Sequence, residues 1–367
     1  MALERFSPTS TAEMETPFRH EHWLIAGSTI QGTVYVISKN EEKIHLWSYN
    51  SVTKRWARLA SSAELPFLHS TYHSNVMACY SEQLRRIDVL VRPSEAPSLI
   101  IRFYIGHSVH RHAILWPTTT IPFRMTLGKN AIFHFEGTLV LVSSERACPY
   151  APIRIRLLRI DSDDQAGVFT WTQMWTSDTV GEEVRDAAKL GDRLVVMLAS
   201  KVLIFEPKLF GTPQWDHAIL VSSWPSTEVP WSRNRHGYLG CCVTPGVTDR
   251  VWALRDEKWV EATLTPAGQF LVNRVYHFPS TNNDHNRVEV CGVASSASHL
   301  FVFQAYTPSY CGRWSQHRIF SKLISPPNLQ YACLLSLFSL PAYQKCDTEQ
   351  KATDLGILTL TWRSYCK

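Results

Sequence analysis

The sequence predicts an all-β chain folded as a β-propeller, with six four-stranded antiparallel blades and seven as the alternative count. Three observations lead there. Helical periodicity is nearly absent: "GEEVRDAAKLGDR" (181–193) is the one helix-like stretch, and it is short. Short apolar strands recur between turn signals. The pattern restates itself at a period of about 40–50 residues, which is the spacing of propeller blades.

The units can be read in order. The first runs through "HWLIAG" (22–27), "TVYVIS" (33–38), "KIHLWSY" (43–49) and "RWARL" (55–59). The second has "NVMACY" (75–80), "IDVLVR" (87–92), "LIIRFYI" (99–105) and "HAILW" (112–116). The third has "NAIFHFE" (130–136), "TLVLVSS" (138–144), "IRIRLLRI" (153–160) and "FTWTQMW" (169–175). The fourth opens on its poorest strand, "RDAAKL" (185–190), and continues with "RLVVMLAS" (193–200), "KVLIFEP" (201–207) and "QWDHAILV" (214–221). The fifth has "YLGCCV" (238–243), "RVWALR" (250–255), "KWVEATL" (258–264) and "FLVNRVYHF" (270–278). The sixth has "VEVCGVA" (288–294), "HLFVFQAY" (299–306) and "RWSQHRIF" (313–320). Two tail strands, "YACLLSLF" (331–338) and "GILTLTWR" (356–363), are expected to complete the last blade and clasp the ring.

Tryptophan spacing points the same way. Trp171, Trp215, Trp259 and Trp314 are 44, 44 and 55 residues apart, and Trp56 precedes Trp171 by 115. Such a residue packs one blade on the next. About two dozen strands are too many for one sandwich, and radial blades leave only short edges. One propeller domain is therefore expected over 17–367, after a disordered segment at 1–16.

Composition excludes several classes. The chain has 367 residues, with 45% hydrophobic and 19% charged, which suits a folded globular protein. Net charge is +5, but the basic residues are scattered and form no nucleic-acid arm. The N-terminus has no apolar signal region and no apolar run is long enough to span a membrane, so a cytoplasmic location is expected. Nine cysteines at irregular spacings, with no Cys-x-x-Cys pair, are expected to be mostly buried thiols. His20-x-His22 and His110-x-His112 lack an assignable third ligand, so no metal is expected. No Walker, Rossmann or nucleophile-elbow signature occurs, and no cofactor is expected.

The candidate site comes from a repeated loop. "PFRHEH" (17–22), "PFLHSTYHS" (66–74), "PFRMTLGK" (122–129) and "PWSRNRHG" (230–237) each lead into the first strand of a unit. In a propeller these connections gather on one face around the central channel. Arg19, His20, Arg124, Arg233, Arg235 and His236 are the candidate polar contacts. Trp23, Phe67, Tyr72, Phe123 and Trp231 are candidate apolar walls. Cationic donors around an aromatic mouth suit an anionic or carbonyl-rich small molecule.

The strand–strand–strand–Trp unit resembles the six-bladed propeller of fungal fucose-binding lectins over roughly residues 20–322. The shared features are the apolar second strand, as in "TVYVIS" and "RVWALR", and the late Trp in "KRW", "EKW" and "GRW". The lectin repeat implies an Arg near the second strand and a Glu on the third. Here Arg193 and Arg250 start second strands, and "KIHLWSY", "LIIRFYI" and "IRIRLLRI" have no Glu. In character the chain is also similar to the fungal propeller hetero-Diels–Alderases of tropolonic sesquiterpene biosynthesis. That resemblance implies an enzyme without metal or cofactor that joins a tropolone quinone methide to a humulene-type sesquiterpene. A cycloaddition needs its partners held together and a donor on the carbonyl, which Arg or His in an aromatic pocket supplies. The alternatives are a lectin-like carbohydrate binder and a protein-interaction scaffold.

Overall fold

The computed structural model describes residues 3–5, 17, 22–29, 32–40, 42–50, 53, 55–65, 67–68, 76–93, 96–105, 111–119, 130–135, 137–146, 152–177, 182–184, 186–190, 193–198, 202–205, 219–222, 241–243, 250–255, 258–265, 270–277, 286–295, 299–308 and 316–323. Among them the regular structure is entirely β.

Strand β1 is Leu3–Arg5. Blade one comprises β2 (His22–Ser28), β3 (Thr33–Lys39), β4 (Ile44–Asn50) and β5 (Arg55–Ser61). Blade two comprises β6 (Val76–Ser81), β7 (Arg86–Val91), β8 (Leu99–Tyr104) and β9 (Arg111–Pro117). Blade three comprises β10 (Ala131–Phe135), β11 (Thr138–Glu145), β12 (Arg154–Asp163) and β13 (Val168–Thr176). Blade four comprises β14 (Asp186–Leu190), β15 (Arg193–Met197), β16 (Val202–Phe205) and β17 (Ile219–Ser222). Blade five comprises β18 (Cys241–Val243), β19 (Arg250–Arg255), β20 (Lys258–Leu264) and β21 (Phe270–His277). The sixth unit contributes β22 (Asn286–Ser295), β23 (His299–Pro308) and β24 (Gln316–Leu323) among the described residues.

Within each unit consecutive strands pair antiparallel in sequence order. The first strands touch in cyclic order, β2 to β6, β10, β14, β18, β22 and back to β2. This closed cycle of inner strands is what makes the chain a β-propeller. The two tail strands expected at 331–338 and 356–363 lie outside the described residues, as does any seventh unit they would build. At the rim, blades two and three also pair, through Val168↔Trp116 and Phe169↔Pro117 in parallel. Leu3–Arg5, inside the segment expected to be disordered, pairs parallel with Val275–His277 on the outer edge of blade five.

The core lies between blades. In β7, Ile87, Val89 and Val91 face blade one, where they join Ile37, Ile44 and Leu46. Leu90 of the same strand faces blade three, with Leu139, Leu141 and Leu158. Both sides of the strand are covered, which is why "IDVLV" reads as a nearly continuous apolar run. Blade three meets blade four through Val140, Val142, Leu194 and Val196. Blade one meets the sixth unit through Val34, Val36, Phe301 and Phe303. Each fully buried side chain of this kind contributes roughly 1.5–3 kcal/mol. The outer strand β5 is half-exposed along most of its length.

The recurrent tryptophans are not equivalent. Trp56 and Trp171 sit on outer strands, whereas Trp259 sits on β20, the third strand of its blade. Trp56 packs on Tyr49, with ring centroids 5.1 Å apart, in the seam between blade one and the sixth unit.

Gly27 marks where two inner strands come closest. It sits at a β-bulge in the β2–β3 register, with φ +149°, and an added Cβ would lie 2.9 Å from Tyr80 Cβ on β6. Both the backbone and the neighbouring strand exclude a side chain there. Gly27→Ala is expected to lower unfolding stability by about 1–3 kcal/mol, measured by urea denaturation.

Candidate functional site

Strand direction alternates within each blade, so its turns divide between two faces. The connections from an outer strand to the next inner strand share a face with the turns between second and third strands. That sharing is visible in contacts between the two kinds of turn. Leu65 donates its N–H to Glu42 O at 2.8 Å, and Lys43 pairs with Glu64 at 3.1 Å. Val184 donates its N–H to Ser144 Oγ at 2.7 Å. We term this the crossover face and the opposite one the hairpin face.

The candidate residues are expected in the Pro-Phe loops, of which Pro17, His22, Phe67 and Leu68 are described. Of the residues singled out there, Arg19, His20, Tyr72, Phe123, Arg124, Trp231, Arg233, Arg235 and His236 lie outside the described residues. Trp23 and Phe67 are described. Trp23 packs edge-on against Phe303, with centroids 5.7 Å apart, in the seam between blade one and the sixth unit. Phe67 packs against Trp116, with centroids 6.4 Å apart, beside the seam between blades one and two. The structure therefore puts these two aromatic residues in different seams.

A second constellation, not singled out by sequence, fills the hairpin-face end of the seam between blades two and three. Asp88 on β7 is fully buried. It accepts from Arg102 Nε of β8 at 2.6 Å and from Arg86 Nε at 3.0 Å. His134 Nε2 of β10 approaches Asp88 Oδ2 at 2.8 Å, off the axis of an ideal hydrogen bond. Arg102 also binds Asp164 of blade three through Nη1, and the Tyr104 hydroxyl donates to the same carboxylate. The register explains the grouping. Cys79, Asp88 and Arg102 lie directly opposite one another on three successive strands, so their side chains share one side of the blade.

The electrostatics follow from this packing. Burial alone would raise the Asp88 carboxyl. The His134 contact and the Arg102 and Arg86 charges outweigh burial and hold it at about 2. Burial pushes the Cys79 thiol up, and the Asp88 charge adds to that effect, so Cys79 is an unreactive, free thiol. The cluster is a closed ionic tie between two blades. Its signal in the sequence is one charge inside each of two adjacent apolar strands, the Asp of "IDVLVR" and the Arg of "LIIRFYI".

At the other end of the same seam stands Arg92, which directly follows β7. Positions 86, 88 and 90 alternate onto the side facing blade three, and Arg92 follows the last residue of the strand at its crossover end. Its Nη1 is buried without a hydrogen-bond partner among the described residues.

Two corrections bear on the lectin-type repeat. Arg86 also begins a second strand, beside Arg193 and Arg250. Blade five does carry a third-strand acid: Glu261 on β20 is buried and faces Trp252 of β19. Arg250 stands two positions before Trp252, paired with Thr263.

The fold and these seams define a β-propeller. A solved variant of the Aleuria aurantia lectin, in complex with Fucalpha1-6GlcNAc, superimposes with a TM-score of 0.50 at 13% identity, covering 84% of this chain and 98% of that one. A structure of the Aleuria aurantia lectin described as a six-bladed β-propeller with a novel fucose recognition mode gives a TM-score of 0.49 at 13% identity, over 86% of this chain and 99% of that one. No family model matches the chain, and no curated protein matches it in sequence. No helix among the described residues is long and apolar enough to cross a membrane.

Removing the Asp88 carboxylate leaves Arg102 buried without its counter-charge. Asp88→Asn is expected to cost about 3–5 kcal/mol of stability at neutral pH, measured by chemical denaturation. The acid limb gives a second readout. The carboxyl is held below its ordinary 3.8, at about 2, so its contribution is complete above about pH 4 and disappears as pH falls towards 2. That loss is on the order of 2 kcal/mol in the wild type and is absent in Asp88→Asn.

Proposed function

We propose that this chain is a cytosolic fungal pericyclase, catalysing an intermolecular hetero-Diels–Alder reaction between a tropolone quinone methide and a humulene-type sesquiterpene. The quinone methide supplies the four-atom C=C–C=O unit and the terpene supplies one C=C bond. One C–C and one C–O bond form, and no atom leaves. The protein's part is to hold the two partners in register and to donate a hydrogen bond to the oxygen that gains electron density. The crossover-face loops carry that role, with Arg19, His20, Arg124, Arg233, Arg235 and His236 as donors. Trp23, Phe67, Tyr72, Phe123 and Trp231 are the apolar surfaces.

The observation that supports this reading is the inequality of the blades. A propeller with repeated sugar sites restates one polar set in every blade. Here Asp88 faces Arg102 in blade two, whereas on the corresponding side blade three opposes Val140 to Arg159 and blade four opposes Val195 to Ile204. A single specialised site fits that asymmetry better than a ring of equivalent ones. Carbohydrate binding is the second reading. The lectin-like fold and the presence in blade five of a second-strand Arg250 and a third-strand Glu261 favour it.

The assay is direct. The full chain is incubated with a quinone methide generated in place and with humulene, and adduct formation is followed by chiral chromatography. A single enantiomer, formed faster than in buffer, is the expected outcome. Alanine at the donor that contacts the carbonyl is expected to lower the rate by about 100-fold or more. Racemic adduct at the buffer rate, together with retention on a fucosylated glycan surface, would transfer the assignment to carbohydrate binding.

A further inference from the structure

Arg92 is a half-buried cation whose Nη1 is enclosed without an acceptor among the described residues. A guanidinium cannot shed its charge near neutral pH, and it carries five donors. Burial pulls Arg92 down to about 10, and no neighbouring carboxylate offsets that pull. The group therefore stays charged while one nitrogen, Nη1, has no acceptor. The arginines of the cluster differ in having a carboxylate: Arg86 and Arg102 both pair with Asp88, although Arg102 Nη2 also lacks a hydrogen-bond partner. The polar groups that blade three places towards the crossover end are already satisfied. Ser143 donates to Asn130 Oδ1 at 2.7 Å, and the same oxygen accepts the Ser144 N–H. An unanswered buried charge is costly to fold around and is retained where something else supplies the partner.

Position says where that partner sits. Arg92 opens the turn between β7 and β8, on the crossover face.

We propose that Arg92 is a ligand-binding residue that takes a planar pair of oxygens, anionic or strongly polarised, in the fork of its guanidinium. The vicinal oxygens of a tropolone ring have that shape, as does a carboxylate. Assigning the tropolone partner to Arg92 rests on the cycloaddition reading; the oxyanion site itself does not.

The test uses the full-length protein with two probes, tropolone in mildly alkaline buffer and benzoate, titrated by calorimetry against wild type, Arg92→Met and Arg92→Lys. Wild type is expected to bind tropolonate. Arg92→Met should weaken that binding by about tenfold to a hundredfold, the usual worth of a charge-assisted hydrogen bond, and Arg92→Lys by less. Without ligand, Arg92→Met should melt at a higher temperature than wild type, because it removes a buried charge that has no partner. A merely structural arginine would show the reverse. Should Arg92→Met fail to fold, Arg92→Lys decides through its affinity. Binding of both probes unchanged in the variants, or no binding of either probe to wild type, overturns the proposal. Arg92-dependent anion binding by a chain that forms only racemic adduct would leave this site standing and remove the cycloaddition. Enantiopure adduct with unchanged kinetics in Arg92→Lys and Arg92→Met would do the opposite.

Discussion

The structure depends on covering both sides of every blade. A four-stranded sheet with two apolar sides cannot stand in water, and among the described residues apolar seams join blades one and two, two and three, three and four, and blade one and the sixth unit. The alternation within β7 shows the constraint at its simplest. Ile87, Val89 and Val91 point one way, and Leu90 points the other, into a different seam. The inner strands close into a cycle. The close pass of Gly27 by Tyr80 and the rim pairing of Val168 with Trp116 follow from the same need to bring blades together at both ends of their radius.

The seam between blades two and three departs from that apolar rule in an ordered way. At the hairpin face, Asp88 pairs with Arg86 and Arg102 and meets the His134 ring. In the middle the seam is aliphatic. At the crossover face it ends on Arg92, whose Nη1 is unmatched. A matched cluster fixes the relative register of two blades, because its geometry is met in one arrangement only. An unmatched one does nothing for folding, so its presence shifts attention to ligands. The two ends of one β-strand thus carry opposite kinds of polar burial.

Much of the fold was legible because strand period and turn chemistry act locally. The expected strands at 33–38, 99–105 and 258–264 correspond closely to β3, β8 and β20, and even the weak "RDAAKL" became β14. The short strand β1 was not legible, since it exists only through pairing with β21, some 270 residues away. The ionic cluster was hidden for a related reason. Asp88 and Arg102 are each a lone charge in an apolar run, and only the hairpin register makes them partners. Their further partners, His134 and Asp164, come from another blade. The spacing of tryptophans signalled repetition correctly but not equivalence, because Trp259 occupies a different strand from Trp56 and Trp171. Of the candidate loop residues, Trp23 and Phe67 alone are described, and both are engaged in packing.

Propeller seams repeat by construction, whereas a dedicated site breaks the repeat, so the central claim is that ligand binding here is singular. A crystal structure of the full chain with bound tropolonate measures this most directly. One ligand per chain is expected, on the crossover face, with its oxygens on Arg92. Ligand or sugar density repeated between several blades, or a lone ligand placed away from Arg92, would contradict it.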